Sequence, residues 1–159
     1  MIFQDPAEAA RLLAEALKTY RGKKPLVLAI PRGAVPMAKI IANKLQGEVD
    51  IVMTRKLQAP RNLEYAIGAV DESGWTYLAA SGERAGATRE YIAREVAAEQ
   101  ETMRLRRAQY TPGRAPADPA GRIVIVVDDG LATGATMIAA LHSVRARMPS
   151  DLRGARRIA

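Results

Sequence analysis

Asp128 and Asp129 stand side by side after an unbroken aliphatic run, Ile123 to Val127, and lead into Gly130, Leu131, Ala132, Thr133, Gly134, Ala135, Thr136 and Met137. Adjacent carboxylates repel, so the pair becomes useful where a ligand offers hydroxyl donors or a metal shares the charge. A ribose diol meets the first condition; hydrated magnesium, held by Asp128 and Asp129 through water, meets the second. Beyond the acids, Gly130 and Gly134 permit backbone geometries closed to other residues, and Thr133 and Thr136 bring hydroxyls to a predicted helix start. Exposed amides and the positive end of a helix suit a phosphate dianion. The string therefore reads as a site for a phosphorylated sugar, although the acid pair taken alone equally suits an ordinary strand-loop-helix cap.

The elements that must position these residues follow from hydrophobic patterning. The run 123–127 has no polar face, so its strand is expected to be covered on both sides, as in a parallel sheet flanked by helices. The acids then fall at the carboxyl edge of the sheet, where open α/β folds place ligands. A second apolar strand, Pro25 to Ile30, runs into Pro31-Arg32-Gly33-Ala34 and an amphipathic helix from Val35 to Leu45, which makes a second anion-binding corner. Asp50 to Lys56 reads as a short strand delivering Arg55 and Lys56 at its end, either toward an anion or merely into solvent. The polar stretch Leu57 to Asn62 then has the composition of a mobile loop. A strand ending in Asp also suits P-loop nucleotidases, but no G-x-x-x-x-G-K-[ST] occurs, and the spacing of Gly130 and Gly134 does not supply a dinucleotide G-x-G-x-x-G.

The stretch VVDDGLATGATM resembles the signature of the type I phosphoribosyltransferases, which bind phosphoribosyl pyrophosphate and transfer its phosphoribosyl group to a nitrogen nucleophile, commonly a nucleobase. The resemblance implies that Asp128 and Asp129 hold the ribose hydroxyls, while the loop through Gly130, Leu131, Ala132, Thr133, Gly134, Ala135 and Thr136 wraps the 5-phosphate. It further implies that Arg32 and the amides around Gly33 and Ala34 neutralise the pyrophosphate. Arg55 and Lys56 would approach the same leaving group, with the loop after them closing to exclude water. Magnesium is the implied cofactor and nucleotide salvage the implied setting. Hypoxanthine and guanine enzymes of the family usually carry a carboxylate where Ala132 stands, so that proton-accepting role is vacant here. The D-D-x-L-A-T-G-x-T-M form is closer to the adenine-type signature, and the acceptor stays open. A non-catalytic module that senses the same ligand, with a nucleic-acid output, is the alternative reading.

Around this core the chain reads as one α/β domain over 1–159, with a core at about 1–70 and 120–159 and an insert or hood at about 71–119. Asp5-Pro6-Ala7-Glu8 starts a helix that runs to about Tyr20. Ala66 to Val70 and Trp75 to Ala80 are expected as short strands around the turn Asp71 to Gly74. Thr88 to Tyr110 comes next as a long charged helix, broken by the proline-rich stretch 111–119. The helix after the acid loop is expected to run to Met148 and stop at Pro149. The final residues, Ser150 to Ala159, are polar and Arg-rich with no apolar run for a buried strand, so the chain reads as shortened at this end relative to the family.

Composition narrows the classes. A chain of 159 residues with 48% hydrophobic and 4% aromatic content predicts a globular fold with an aliphatic interior. The absence of cysteine excludes disulfides and thiolate metal sites and fits a cytoplasmic protein. No apolar stretch approaches a membrane span. The net charge of +7 invites a nucleic-acid reading. However, the clusters at Arg104, Arg106 and Arg107 and from Arg145 to Arg157 lack interleaved aromatics, so a polyanionic substrate and a solvated helix face account for them better. A homo-oligomer is expected. His142, the sole histidine, is assigned a packing or surface role.

Overall fold

A computed structural model describes residues 5–130 and 135–156 of the chain. In order the elements are α1 (Pro6–Ala16), a 3₁₀ turn (Lys18–Tyr20), β1 (Leu26–Ala29), α2 (Ala34–Leu45), β2 (Glu48–Ile51), β3 (Thr54–Ala59), β4 (Asn62–Asp71) and β5 (Thr76–Leu78). They continue with α3 (Ser81–Arg84), α4 (Arg89–Tyr110), β6 (Ile123–Asp128), α5 (Ala135–Ala146) and β7 (Asp151–Arg156). Contacts divide the chain into two compact units, Met1–Val52 with Pro116–Ala159, and Met53–Ala115. The division falls at Met53 and Ala115, whereas composition alone suggested an insert at about 71–119.

The first unit is an α/β layer structure whose four-stranded sheet has the order β2-β1-β6-β7. Every pairing in it is parallel. Leu26, Leu28, Val124 and Val126 pack on one face with Met137, Ala140 and Val144 of α5. The alternate residues Val27, Ala29, Ile125 and Val127 are fully buried on the other, where α2 contacts β1, β2 and β6. This is why the run 123–127 carries no polar position: both faces of a central parallel strand are covered. Helix α1 is started by Asp5, whose carboxylate accepts from the Glu8 amide at 2.7 Å, with Pro6 just inside.

Two expectations from the sequence are corrected here. The run Asp50 to Lys56 is not one strand: β2 ends at Ile51 in the parallel sheet, and β3 begins at Thr54 in a separate antiparallel sheet. The mobile loop expected at 57–62 is mostly strand, with only Pro60 and Arg61 between β3 and β4. Leu57 and Ala59 are buried while Gln58 is exposed, a period-two pattern that the polar residues around Pro60 obscure.

The polar carboxyl-terminal tail is also a strand. β7 pairs with β6 from Ile123↔Asp151 to Asp128↔Arg156. An edge strand needs backbone partners on one side only and little apolar surface. Leu152 packs against the α5 cluster, and Gly154 sits under Met137 and Leu141. The polar side chains serve as ties: Tyr20 donates to Asp151 Oδ2 at 2.9 Å, and Arg153 Nε donates to the Tyr20 hydroxyl at 2.7 Å.

The second unit joins β3-β4-β5 into an antiparallel sheet against which the 22-residue helix α4 packs, started by Thr88 at its N-cap. Asp71, 2% exposed, shapes the turn into β5 by accepting from the Ser73 amide, the Ser73 hydroxyl and the Trp75 amide at 2.8, 2.6 and 3.0 Å. Arg107 is not part of a solvated face. It is buried, and its Nε and Nη2 each donate to Glu72 at 2.7 Å, tying α4 to the same turn.

Candidate functional site

The parallel register sets the site. β1 and β6 are hydrogen-bonded neighbours with Ala29 opposite Val127, and the Ile30 amide continues the ladder by donating to Val127 O at 2.9 Å. The segments leaving the carboxyl ends of these strands, 30–33 and 128–130, must therefore emerge side by side. Which strands neighbour each other is a tertiary fact; in this chain it brings together the two corners that the sequence offers separately as candidate anion sites.

At the end of β6, Asp128 is buried at 6% exposure, while Asp129 faces solvent. The Asp129 amide donates to Asp128 Oδ1 at 2.9 Å. Burial, and then the neighbouring Asp129 carboxyl, push the Asp128 carboxyl above the usual carboxylate range. Such a pair is relieved by groups that bring donors or positive charge, which is the chemistry of a sugar diol or a hydrated cation. Hard oxygen donors of this kind suit magnesium. Among the described residues no cluster of three or more His, Cys, Asp or Glu forms a cage for a metal.

The first corner supplies backbone. Gly33 precedes α2 with φ −63° and ψ −32°, Ala34 opens the helix, and the Val35 amide donates to Arg32 O at 3.2 Å. The Pro31–Arg32 peptide is cis. Arg32 is exposed and Ala34 buried. The closest meeting of the two corners is at Gly33: a Cβ built there would overlap the Asp129 carboxylate. Gly130 behaves differently from the expectation. Its backbone is not left-handed and a Cβ would meet nothing within 4 Å among the described residues; at this sheet edge the close approach lies at Gly33.

Leu131, Ala132, Thr133 and Gly134, expected to wrap a phosphate, lie outside the described residues. Beyond them Ala135 begins α5 and Thr136 is exposed in its first turn. Arg55 and Lys56 belong to the second unit, on β3. Successive strand residues face opposite sides of a sheet, and the two cations part accordingly: Arg55 pairs with Glu99 of α4 at 2.6 Å, whereas Lys56 is exposed. Sequence reasoning did not single out Glu99, and its 44-residue separation from Arg55 left no local signal. His142 is exposed on α5. Among the described residues no helix is long and apolar enough to cross a membrane.

Comparison with known proteins bears directly on this arrangement. The sequence profile of the phosphoribosyl transferase domain matches residues 1–155. Rv0571c of Mycobacterium tuberculosis (strain ATCC 25618 / H37Rv), a protein named for phosphoribosyl transfer, is 37% identical over 147 residues, which cover 91% of this chain and 33% of that protein. The chain thus spans about a third of the length of the curated relatives it matches. The crystal structure of TT1426 from Thermus thermophilus superposes with a TM-score of 0.85 at 42% identity, covering 98% of this chain and 74% of the other. A hypoxanthine-guanine phosphoribosyltransferase from Bacillus anthracis shares the fold with a TM-score of 0.51 at 14% identity, covering 95% and 64% of the two chains. With a profile match over nearly its whole length and paired acids at the carboxyl edge of a parallel sheet, this chain belongs to the phosphoribosyl transferase domain family.

Proposed function

We propose that this chain binds phosphoribosyl pyrophosphate with magnesium and transfers the phosphoribosyl group to a nitrogen acceptor of the nucleobase class, releasing pyrophosphate. The observation that carries this reading is the meeting of the two corners: the Asp129 carboxylate lies on Gly33 in the first unit, so the acids proposed to hold the diol and the turn proposed to hold the pyrophosphate share one sheet edge. In it, Asp128 and Asp129 accept from the ribose hydroxyls. The turn amides at Gly33 and Ala34 and the Arg32 guanidinium meet the leaving pyrophosphate, and residues 130–136 enclose the 5-phosphate. Arg55 and Lys56 are assigned to the pyrophosphate as well. Magnesium, when bound, would neutralise charge on the phosphates.

As the glycosidic bond lengthens, positive charge grows on the sugar and negative charge on the departing group. Fixed cations and amides favour the second, and the paired acids hold the ring whose charge is rising. The whole of 1–159 is proposed to act as one functional domain. A cytoplasmic setting, in keeping with a cysteine-free chain, and self-association belong to the same proposal.

Titration calorimetry with phosphoribosyl pyrophosphate and magnesium, followed by a pyrophosphate-release assay over a panel of nucleobases, tests it. Binding with release for at least one base is expected. Binding without release for any base would overturn the transferase reading in favour of a ligand sensor, and no binding would overturn both.

A further inference from the structure

We propose that Glu99 is a positioning residue that presets Arg55 to receive an oxyanion, an inference that rests on the assignment of Arg55 to the pyrophosphate. The pair joins β3 to α4 through one bond, Arg55 Nε to Glu99 Oε2 at 2.6 Å, with the two side chains 37% and 20% exposed. A guanidinium carries five donors in a rigid planar fork. Glu99 takes the single Nε proton, and Arg55 makes no other hydrogen bond among the described residues, which leaves both Nη groups for a ligand.

Two arginines of α4 show what a purely structural pairing looks like here. Arg107 gives Nε and Nη2 together to Glu72, and Arg104 gives Nε and Nη2 together to Glu101. Each is a two-pronged contact that uses a whole edge of the fork. Arg55 departs from that pattern: it is held by its stem end, while its tip meets no partner among the described residues. The carboxylate that holds it is itself fixed. α4 is bound to β3 by the Tyr91 hydroxyl, which donates to Gln58 O at 2.7 Å, and to the Asp71–Trp75 turn by Arg107.

An unrestrained arginine would lose its rotamer freedom when it met a phosphate; one restrained by Glu99 has already lost it on folding, and binding gains by the difference. The opposite consequence is also physical: Glu99 carries a negative charge that repels an incoming anion. The proposal is that restraint outweighs repulsion, since the pair is partly exposed and solvent screens the charge.

The test measures affinity for phosphoribosyl pyrophosphate with magnesium, and the melting temperature, for the full chain and for R55A, E99A, E99Q and the double variant R55A/E99A. E99A is expected to bind about three- to tenfold more weakly. E99Q should retain most of the affinity, because its amide oxygen still accepts from Nε. E99A should cost nothing further once Arg55 is gone, which a merely structural role would not produce. Should E99A not fold, E99D keeps the charge but shortens the reach, and the same loss is expected of it. Affinity equal to or tighter than wild type in E99A or E99D, or an undiminished loss in the R55A background, overturns the proposal. Unchanged binding in R55A overturns the assignment of Arg55 itself and this inference with it, while leaving the acids and the first corner untouched.

Discussion

The contact between Gly33 and Asp129 makes Gly33→Ala the sharpest test of the site. Gly33 has φ −63° and ψ −32°, which alanine adopts freely, so the backbone imposes no penalty. Restricting the unfolded chain would even favour the folded state by about 0.4–1 kcal/mol. Against this, the new methyl overlaps the Asp129 carboxylate. That side chain is exposed and can rotate away at a cost of about 0.5–1.5 kcal/mol. The two effects nearly cancel, and the melting temperature should move by no more than about 2–4 °C, the shift that 1 kcal/mol produces in a chain of this size.

Binding should respond far more. If Asp129 accepts a ribose hydroxyl, displacing it forfeits a charge-assisted hydrogen bond of about 1.5–3 kcal/mol, or about ten- to a hundredfold in affinity for phosphoribosyl pyrophosphate. Titration calorimetry on Gly33→Ala, Asp129→Ala and the double variant separates the causes. In the Asp129→Ala background the methyl should cost little more. A variant that melts normally and binds at wild-type strength would refute the reasoning. A Gly33→Ala loss that persists in full without Asp129 would place the cost in the turn instead of the acid.

Three further outcomes are expected. The Asp128 carboxyl is pushed upward by burial and by Asp129, so the folded chain holds its proton more tightly than the unfolded chain does. Its favourable contribution is complete below the ordinary carboxylate range and is lost as pH rises through the raised value. Asp128→Asn should therefore melt about 2–4 °C higher than wild type at pH 8, with the gain shrinking toward pH 4, while binding falls; a lower melting point at pH 8 contradicts this. Arg107→Ala strands Glu72, whose side chain is 19% exposed, and should cost about 3 kcal/mol in urea unfolding; a loss under about 1 kcal/mol would show that the tie is not needed. Leu152→Ala should cost about 1–2 kcal/mol, less than for a fully buried leucine, and hydrogen exchange should find β7 amides protected in the wild type; fast exchange across 152–156 would deny the strand.

Local patterning decided a good deal of this molecule. A short, mostly β-branched aliphatic run without a polar face suits a strand covered on both sides, and Ile123–Asp128 is one. Asp5 and Thr88 cap helices because their side-chain oxygens accept from amides three residues ahead. The acid pair and its resemblance to a family signature stood in the sequence before any coordinate was known, and the profile match over residues 1–155 agrees with it.

Other features depended on partners distant in the chain. The tail after Pro149 is polar enough to pass for coil, yet it is a strand because β6 offers a free edge and α5 needs only Leu152 and Gly154 from it. Arg107 looks like a surface cation until Glu72 is folded against it. Nothing between Gly33 and Asp129 along the sequence announces their contact; it exists because β1 and β6 are neighbours in a parallel sheet. Residue types and periodicity set which chemistry and which local geometry a segment can supply, since those depend on neighbours within a turn or two. Which segments meet is settled only when the burial of both faces of the sheet selects one strand order, and that selection is a property of the whole fold.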